Sequence, residues 1–294
     1  MLTLLCALRT GTCVVSACGY DSVPWDLGAM LAVKRLRDRG VTGGVSVSGF
    51  VGATAGGFSG GTVASLLGAL DDPSVHGSGS HSLDPEWAPR PDAGPQLVPR
   101  YSAAGRRWTV PSIMAAVNER VVNRSAALKP ALYGERGTLE YKEATLVPNA
   151  IGAAIGGALM ATAGVLLALP PTRWLLTKTV LPAPGQGPSE ATRENGVLTA
   201  HFVATETAPP AGAAPRRAFA RIAAKADPGY KGTSIMAAEA ALCLALQQEQ
   251  LPGATGGCLT PATCMGEVLA ERLRKQGFEV SSRDFQDDET VADA

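Results

Sequence analysis

Apolar and polar positions alternate along this chain in patterns that divide it into elements. Thr12–Ala17 is an uncharged, β-branched run that reads as a buried strand, and the turn after it leads into a helix. Pro24 lacks the amide that a first helical turn leaves unbonded, and Asp26 places negative charge at the same end. The helix therefore opens here, runs to about Arg39 and stops at Gly40. Gly44–Val51 alternates with period two, predicts a second strand, and feeds a glycine-rich turn at 56–61 that opens another helix.

Asp71–Tyr101 is rich in Pro, Gly, Ser and His without periodicity and reads as a long loop, with His76 and His81 facing solvent. Order resumes at Trp108–Pro111. Met114, Val117, Val121 and Val122 then recur at helical spacing, which puts Arg120 and Arg124 one turn apart; they form either a clamp for an acidic group or, more commonly, a solvated face. Leu139–Glu143 alternates as a strand. Asn149–Leu169 carries no charge over about twenty residues, so it either contacts a bilayer or is buried in protein or an oligomer interface. Leu181–Ser189 is a proline-glycine loop, and Thr199–Glu206 and Ala218–Ala224 are paired strands, with His201 a structural residue. Asp227–Tyr230 is a turn, Thr233 or Ser234 caps the next helix, and Ile235, Met236, Leu242 and Leu246 mark its face. Glu239 interrupts that face, so it is paired with a base or only partly buried. Thr260-Pro261 opens a last helix buried through Met265, Val268, Leu269 and Leu273. Gly277 closes it before Phe278–Val280, and the tail from Ser281 frays.

Composition narrows the function. Lys plus Arg equals Asp plus Glu at 26 each, and the bases are scattered, which excludes the electrostatic footprint of a nucleic-acid binder. The six cysteines (6, 13, 18, 243, 258, 264) form no Cys-x-x-Cys pair and share no ligand spacing with the three histidines, so no metal site is expected and free thiols in a reducing compartment are. Met1–Arg9 is too short for a signal-peptide core and reads as an unremarkable start. Gly60-Gly61 fits neither the dinucleotide fingerprint nor a P-loop. It presents amides to an anion or, as the commoner outcome, lets a helix pack closely. No residue pair announces an acid, a base or a nucleophile.

Six segments in order resemble the saccharopine dehydrogenase-like oxidoreductases, a family that includes trans-acting enoyl reductases. They are Cys18–Gly28, Ser59–Thr62, Val117–Ser125, Pro182–Ser189, Asp227–Tyr230 and Gly256–Thr263. The resemblance implies an α/β (α+β) fold, a mixed sheet with helices like that family's second, substrate and dimerisation domain, plus the last strand of a Rossmann sheet. Residues 1–28 would be the remnant of the dinucleotide-binding domain and 29–280 the substrate-type domain, with a loop at 71–107 and an apolar helix at 150–169; 281–294 would be a frayed tail. A βαβ unit takes about 30 residues, more than precede Cys18, so the NAD(P)-binding half is expected to be missing, with no cofactor bound by this chain alone and no autonomous catalysis. Residues facing substrate or cofactor would be Asp21, Ser22, Ser59, Gly60, Gly61, Thr62 and Tyr230, positioning a small-molecule or lipid substrate.

The resemblance also implies a lipid-related role of the glycolipid-biosynthesis kind, intracellular, at a membrane or lipid-droplet surface reached through 150–169. Crossing is disfavoured because strands on both sides of the helix belong to one domain. Homo-oligomerisation stays open, and a non-enzymatic surface protein retaining the fold is the alternative. Thr12–Ala17 has no upstream strand to pair with, which leaves an open edge and an expectation that Met1 is not the native start.

Overall fold

The structure, a computed structural model, describes residues 2–57, 59–71, 95–135, 137–183, 185–286 and 288–291. It begins with helix α1 (Leu2–Thr10), strand β1 (Cys13–Val15), helix α2 (Val23–Asp38), strand β2 (Val45–Val51) and helix α3 (Gly60–Asp71). Strands β3 (Arg100–Ser102) and β4 (Arg107–Pro111) lead to helix α4 (Ala115–Leu128), the short α5 (Pro130–Tyr133) and strand β5 (Leu139–Val147). Helices α6 (Ala150–Ala168), α7 (Pro170–Thr179) and α8 (Glu190–Glu194) precede strands β6 (Leu198–Glu206) and β7 (Arg217–Ala224). A π-helical turn (Pro228–Gly232), helix α9 (Thr233–Leu246), strand β8 (Gly257–Leu259), helices α10 (Pro261–Cys264) and α11 (Gly266–Lys275), and strand β9 (Glu279–Asp284) complete the order.

The class is α+β, as expected. Seven strands form one mixed sheet in the order β3, β4, β5, β2, β6, β7, β9, in which only β2 beside β5 is parallel. Alternation along β2, β6 and β7 sends Val45, Val47, Leu198, Ala200, Phe202, Ala218, Ala220 and Ile222 to the face that α2 covers. Gly28 sets how closely α2 lies on that face, since a Cβ there would stand 2.0 Å from the Phe202 ring; Trp25 meets the same ring edge-on at 5.7 Å.

The α2 helix is fixed by a buried carboxylate. Asp26 accepts the Ser125 hydroxyl of α4 on one oxygen and the Ala262 N–H of α10 at 2.8 Å on the other, and the Ser125 and Thr260 hydroxyls bond at 2.6 Å. Burial pushes its carboxyl up to about 6 although these donors, above all Ser125, oppose the shift.

Several expectations are corrected. Residues 2–10 are helix, and the Thr12–Ala17 run yields only three strand residues, which pair in parallel with β8. The partner lies downstream, so that edge is covered on one side. The loop placed at 71–107 contains β3, which pairs with β4 at the expected return of order and sets Tyr101 against Trp108; His76 and His81 lie outside the described residues. Ser281 does not begin a frayed tail. β9 pairs with β7, and Phe285 and Val291 are buried with Phe50, Val203 and Phe219 on the sheet's second face. Neither Thr233 nor Ser234 caps α9. Asp227 caps the π turn by accepting the Tyr230 N–H at 2.7 Å, and the chain runs from it into α9. The buried face of α9 is Met236, Ala240 and Cys243, with Leu242 and Leu246 exposed; Glu239 is held by Arg272 at 2.5 Å and Gln276 at 2.8 Å, the paired outcome. In α6 only Ala153 is buried, so this helix is not a core element of the chain.

Asp26→Ala should cost about 2–4 kcal/mol, because the Ala262 amide and the Ser125 hydroxyl lose their acceptor in a buried place. Equilibrium urea unfolding measures this, and a loss within error of zero would show that the clasp is not holding α2.

Candidate functional site

Three turns are joined to one another by hydrogen bonds and close contacts. The first, Gly19–Ser22, follows β1: the Tyr20 N–H donates to Thr233 Oγ1 at 3.1 Å, and Gly19 lies close against the same side chain. The second is the glycine turn after β2. The Gly57 N–H donates to Asp227 Oδ2 at 3.3 Å, and a Cβ on Gly56 would stand 2.2 Å from that oxygen, so Gly56 is required by close approach. The third is the π turn itself, whose Tyr230 ring lies over Gly187 of the proline-glycine loop. That loop joins α3 through the Gln186 carbonyl, which accepts the Gly60 N–H at 2.9 Å. Thr233 also donates to the Pro228 carbonyl at 2.8 Å and so couples the first turn to the third.

This arrangement links Ser59, Gly60, Gly61 and Thr62 to Tyr230 through Gln186 and Gly187, and Tyr20, the neighbour of Asp21 in sequence, is joined to the π turn through Thr233. Asp21 is at the surface, and partial desolvation raises its carboxyl; Gly61 and Thr62 are exposed, Ser59 and Tyr230 half-buried, and Gly60 buried. Ser59 caps α3 by accepting the Thr62 N–H at 2.9 Å. Ser22 is turned inward. It is fully buried and donates to Asn118 Oδ1 at 3.1 Å.

Behind Ser22 runs a network that the sequence reading did not single out. Asn118 donates to Glu143 Oε2 at 2.8 Å, Ser112 donates to Glu143 Oε1 at 2.5 Å, and the Glu143 N–H reaches Glu119 Oε1 at 3.4 Å. Burial pushes both carboxyls up to about 7, against Ser112 and Asn118 for Glu143 and against Lys142 for Glu119; Glu119 raises Glu143 further. The Tyr20 phenol is pushed up to about 12, first by burial, with Glu143 and Asp21 adding and Thr54 opposing, so it remains a proton-bearing group. A signal was present in β5, where Glu143 has the inward parity of Leu139 and Tyr141.

The remaining candidates have structural roles. Arg124 donates to the Cys258 carbonyl at 3.5 Å, so this member of the arginine pair is engaged within the chain. His201 is buried against Gly52, and its ring is pushed down to about 4, by burial first and then by Arg221. Among the described residues no group of three or more His, Cys, Asp or Glu is placed to hold a metal ion.

No family model matches the chain. A Mycobacterium tuberculosis protein provisionally named a trans-acting enoyl reductase is 37% identical over 297 residues, covering 94% of this chain and 68% of that relative. The chain belongs to the trans-acting enoyl reductase family. A trans-acting enoyl reductase of Mycobacterium ulcerans is 32% identical over 301 residues, with 94% and 68% covered, and one of Mycobacterium bovis is 31% identical over 297 residues, with 92% and 67% covered. As a member of the trans-acting enoyl reductase family, the chain is oxidoreductase-like.

The raised carboxyls predict a pH dependence of stability. Each acid binds its proton more tightly in the folded state, so the stabilisation is fully present below the unfolded values of 4.5 for Glu119 and Glu143 and 3.8 for Asp26. It is lost as pH rises through about 7 and about 6, respectively. Urea unfolding free energy should fall between about pH 5 and about pH 8, by on the order of 2–3 kcal/mol for each glutamate. Glu143→Gln should flatten that slope, and an unchanged slope would count against the buried pair as its source.

Proposed function

We propose that this chain is the substrate-side part of a lipid-related oxidoreductase of the saccharopine dehydrogenase-like kind, acting on an enoyl group. The observation that carries the reading is the convergence of Tyr20–Asp21, Gly56–Thr62 and Asp227–Tyr230 on one surface, in a chain whose relatives are named enoyl reductases. Asp21 and Tyr230 face the ligand, Ser59, Gly60, Gly61 and Thr62 line its approach, and Ser22 holds the turn from behind. The Tyr20 phenol, kept protonated, is a donor for the carbonyl oxygen conjugated to the double bond.

A nicotinamide dinucleotide would supply hydride, but the described residues do not fit it. Their separate parallel unit is only β1 with β8, three residues each, and the Gly60 and Thr62 amides at the start of α3 already have acceptors. The dinucleotide is therefore held mainly by a fold that these residues do not supply.

Contact with a lipid surface is part of the same proposal, and the pattern on α6 supports it. Gly156 and Gly157 lie against Val110 and Pro99, while Ile151, Ile155 and Leu159, spaced one turn apart, point away and are exposed. Trp174 and Leu175 of α7 continue the apolar surface, and Arg173 pins α7 to Asp71 of α3 at 2.5 Å. The helix is about 28 Å long at 1.5 Å per residue, and lying flat keeps the strands before and after it on one side. A non-enzymatic surface protein is the second reading, favoured by the amides of α3 already being occupied.

Titrating each reduced nicotinamide dinucleotide while following the four tryptophans, with calorimetry as a check, should give no saturable micromolar binding; such binding would sink the division of labour. A fatty trans-2-enoyl thioester should bind saturably, and the double variant Asp21→Asn, Tyr230→Ala should weaken it about tenfold. Failure of the thioester to bind would favour the non-enzymatic reading.

The purified chain should float with phosphatidylcholine–phosphatidylglycerol liposomes, and replacing Ile155, Leu159 and Trp174 by Ser should leave it at the bottom of the gradient. Equal flotation of the two proteins would remove α6 and α7 from membrane contact.

A further inference from the structure

Four of the six cysteines gather where the β1–β8 unit meets α9 and α10. Cys13 comes from β1, Cys18 from the turn after it, Cys243 from α9 and Cys264 from the end of α10. Gly253 joins two of them: its carbonyl accepts the Cys13 thiol at 3.3 Å, its N–H donates to the Cys264 carbonyl at 3.1 Å, and a Cβ on it would stand 2.7 Å from Cys264 Cα. Cys13, Cys18 and Cys243 all lie near enough to Cys264 to act on it electrostatically, Cys13 most strongly. Cys13 is half-buried, within reach of a small solute, whereas Cys264 is fully buried. Neither belongs to the three-turn site.

We propose that Cys13 and Cys264 are a thiol pair that a low-molecular-weight disulfide oxidises to an intramolecular disulfide, fastening β1 to α10. The Cys13 thiolate attacks the small disulfide, forms a mixed disulfide and expels one thiolate, which takes up a proton. Cys264 then loses its proton and attacks the Cys13 sulfur, which breaks the mixed disulfide and releases the second small thiol. In sum, two protein thiols and one small disulfide give one protein disulfide and two small thiols. The second step is slow. Burial, with Cys13 beside it, pushes the Cys264 thiol up to about 12, so little thiolate is present and the mixed disulfide at Cys13 accumulates first. The cross-link closes a loop spanning nearly the whole chain, ending on the helix whose Ala262 amide holds Asp26.

The test is incubation of the purified 294-residue chain with oxidised glutathione under native conditions, followed by alkylation, digestion without reductant and mass spectrometry. The expected product is a peptide pair linked Cys13 to Cys264, reversed by dithiothreitol, with a thermal midpoint about 5 °C or more above that of the reduced protein. Cys6→Ser should retain the link and the shift, because Cys6 is exposed and takes up glutathione by itself. Cys13→Ser should lose both. Only mixed disulfides after prolonged incubation, a link between Cys18 and Cys243 instead, or an unchanged midpoint in the linked protein would each overturn the proposal.

Discussion

A carboxylate with no water around it must find donors or give up its charge, and the position of α2 follows from how Asp26 meets that requirement. Its donors come from α4 and from the start of α10, so one side chain fixes three helices that are distant in sequence. One turn earlier, Ser22 makes the same kind of contact with Asn118. Asn118 and Ser125 are seven residues apart on α4 and share a face, so the α2–α4 joint is read by polar groups as well as by apolar packing. Apolar surfaces tolerate sliding. A buried hydrogen-bonded stripe does not, and it sets the register in which α2 crosses the sheet.

The site inherits this precision. Ser22 cannot face a ligand while it satisfies Asn118, but in doing so it holds Tyr20 and Asp21 at the rim. Across the rim, Asp227 serves three purposes: it caps the π turn, accepts the Gly57 amide and crowds Gly56 and Gly196, where a Cβ would stand 2.2 Å and 2.3 Å from it. A π turn is a rare conformation that often marks functional positions, and here it aims Tyr230 at Gly187 while keeping Thr233 free to bind Tyr20.

Strong periodicity made much of the fold legible. The start of α2 with Pro24 in its first turn, the alternation of β2, β6 and β7, and the end of α11 just before Gly277 each follow from local chemistry. β9 was missed because Glu279-Val-Ser-Ser-Arg-Asp284 is polar on nearly every position, the composition of an edge strand that stays soluble on its open side. β1 was read as unpaired because its partner comes more than two hundred residues later, a distance no local pattern encodes. Within the site, the motifs that meet were visible as segments, but the inward turn of Ser22 depends on Asn118 and Glu143 from other elements. The face of α9 was rotated for a related reason: pairing with Arg272 makes Glu239 acceptable inside, and the leucines are left outside.

The last strands of the chain close both sheets, β8 against β1 and β9 against β7. On a ribosome, Cys13 must therefore wait for Gly257, which at roughly 5–20 residues per second is on the order of ten to fifty seconds. During that interval Val14 is unpaired, and Asp26 lacks the amide that α10 will bring. The β1–β8 pair and the β7–β9 pair thus complete only after the central strands have been made, and β1–β8 is the most non-local pairing of the fold.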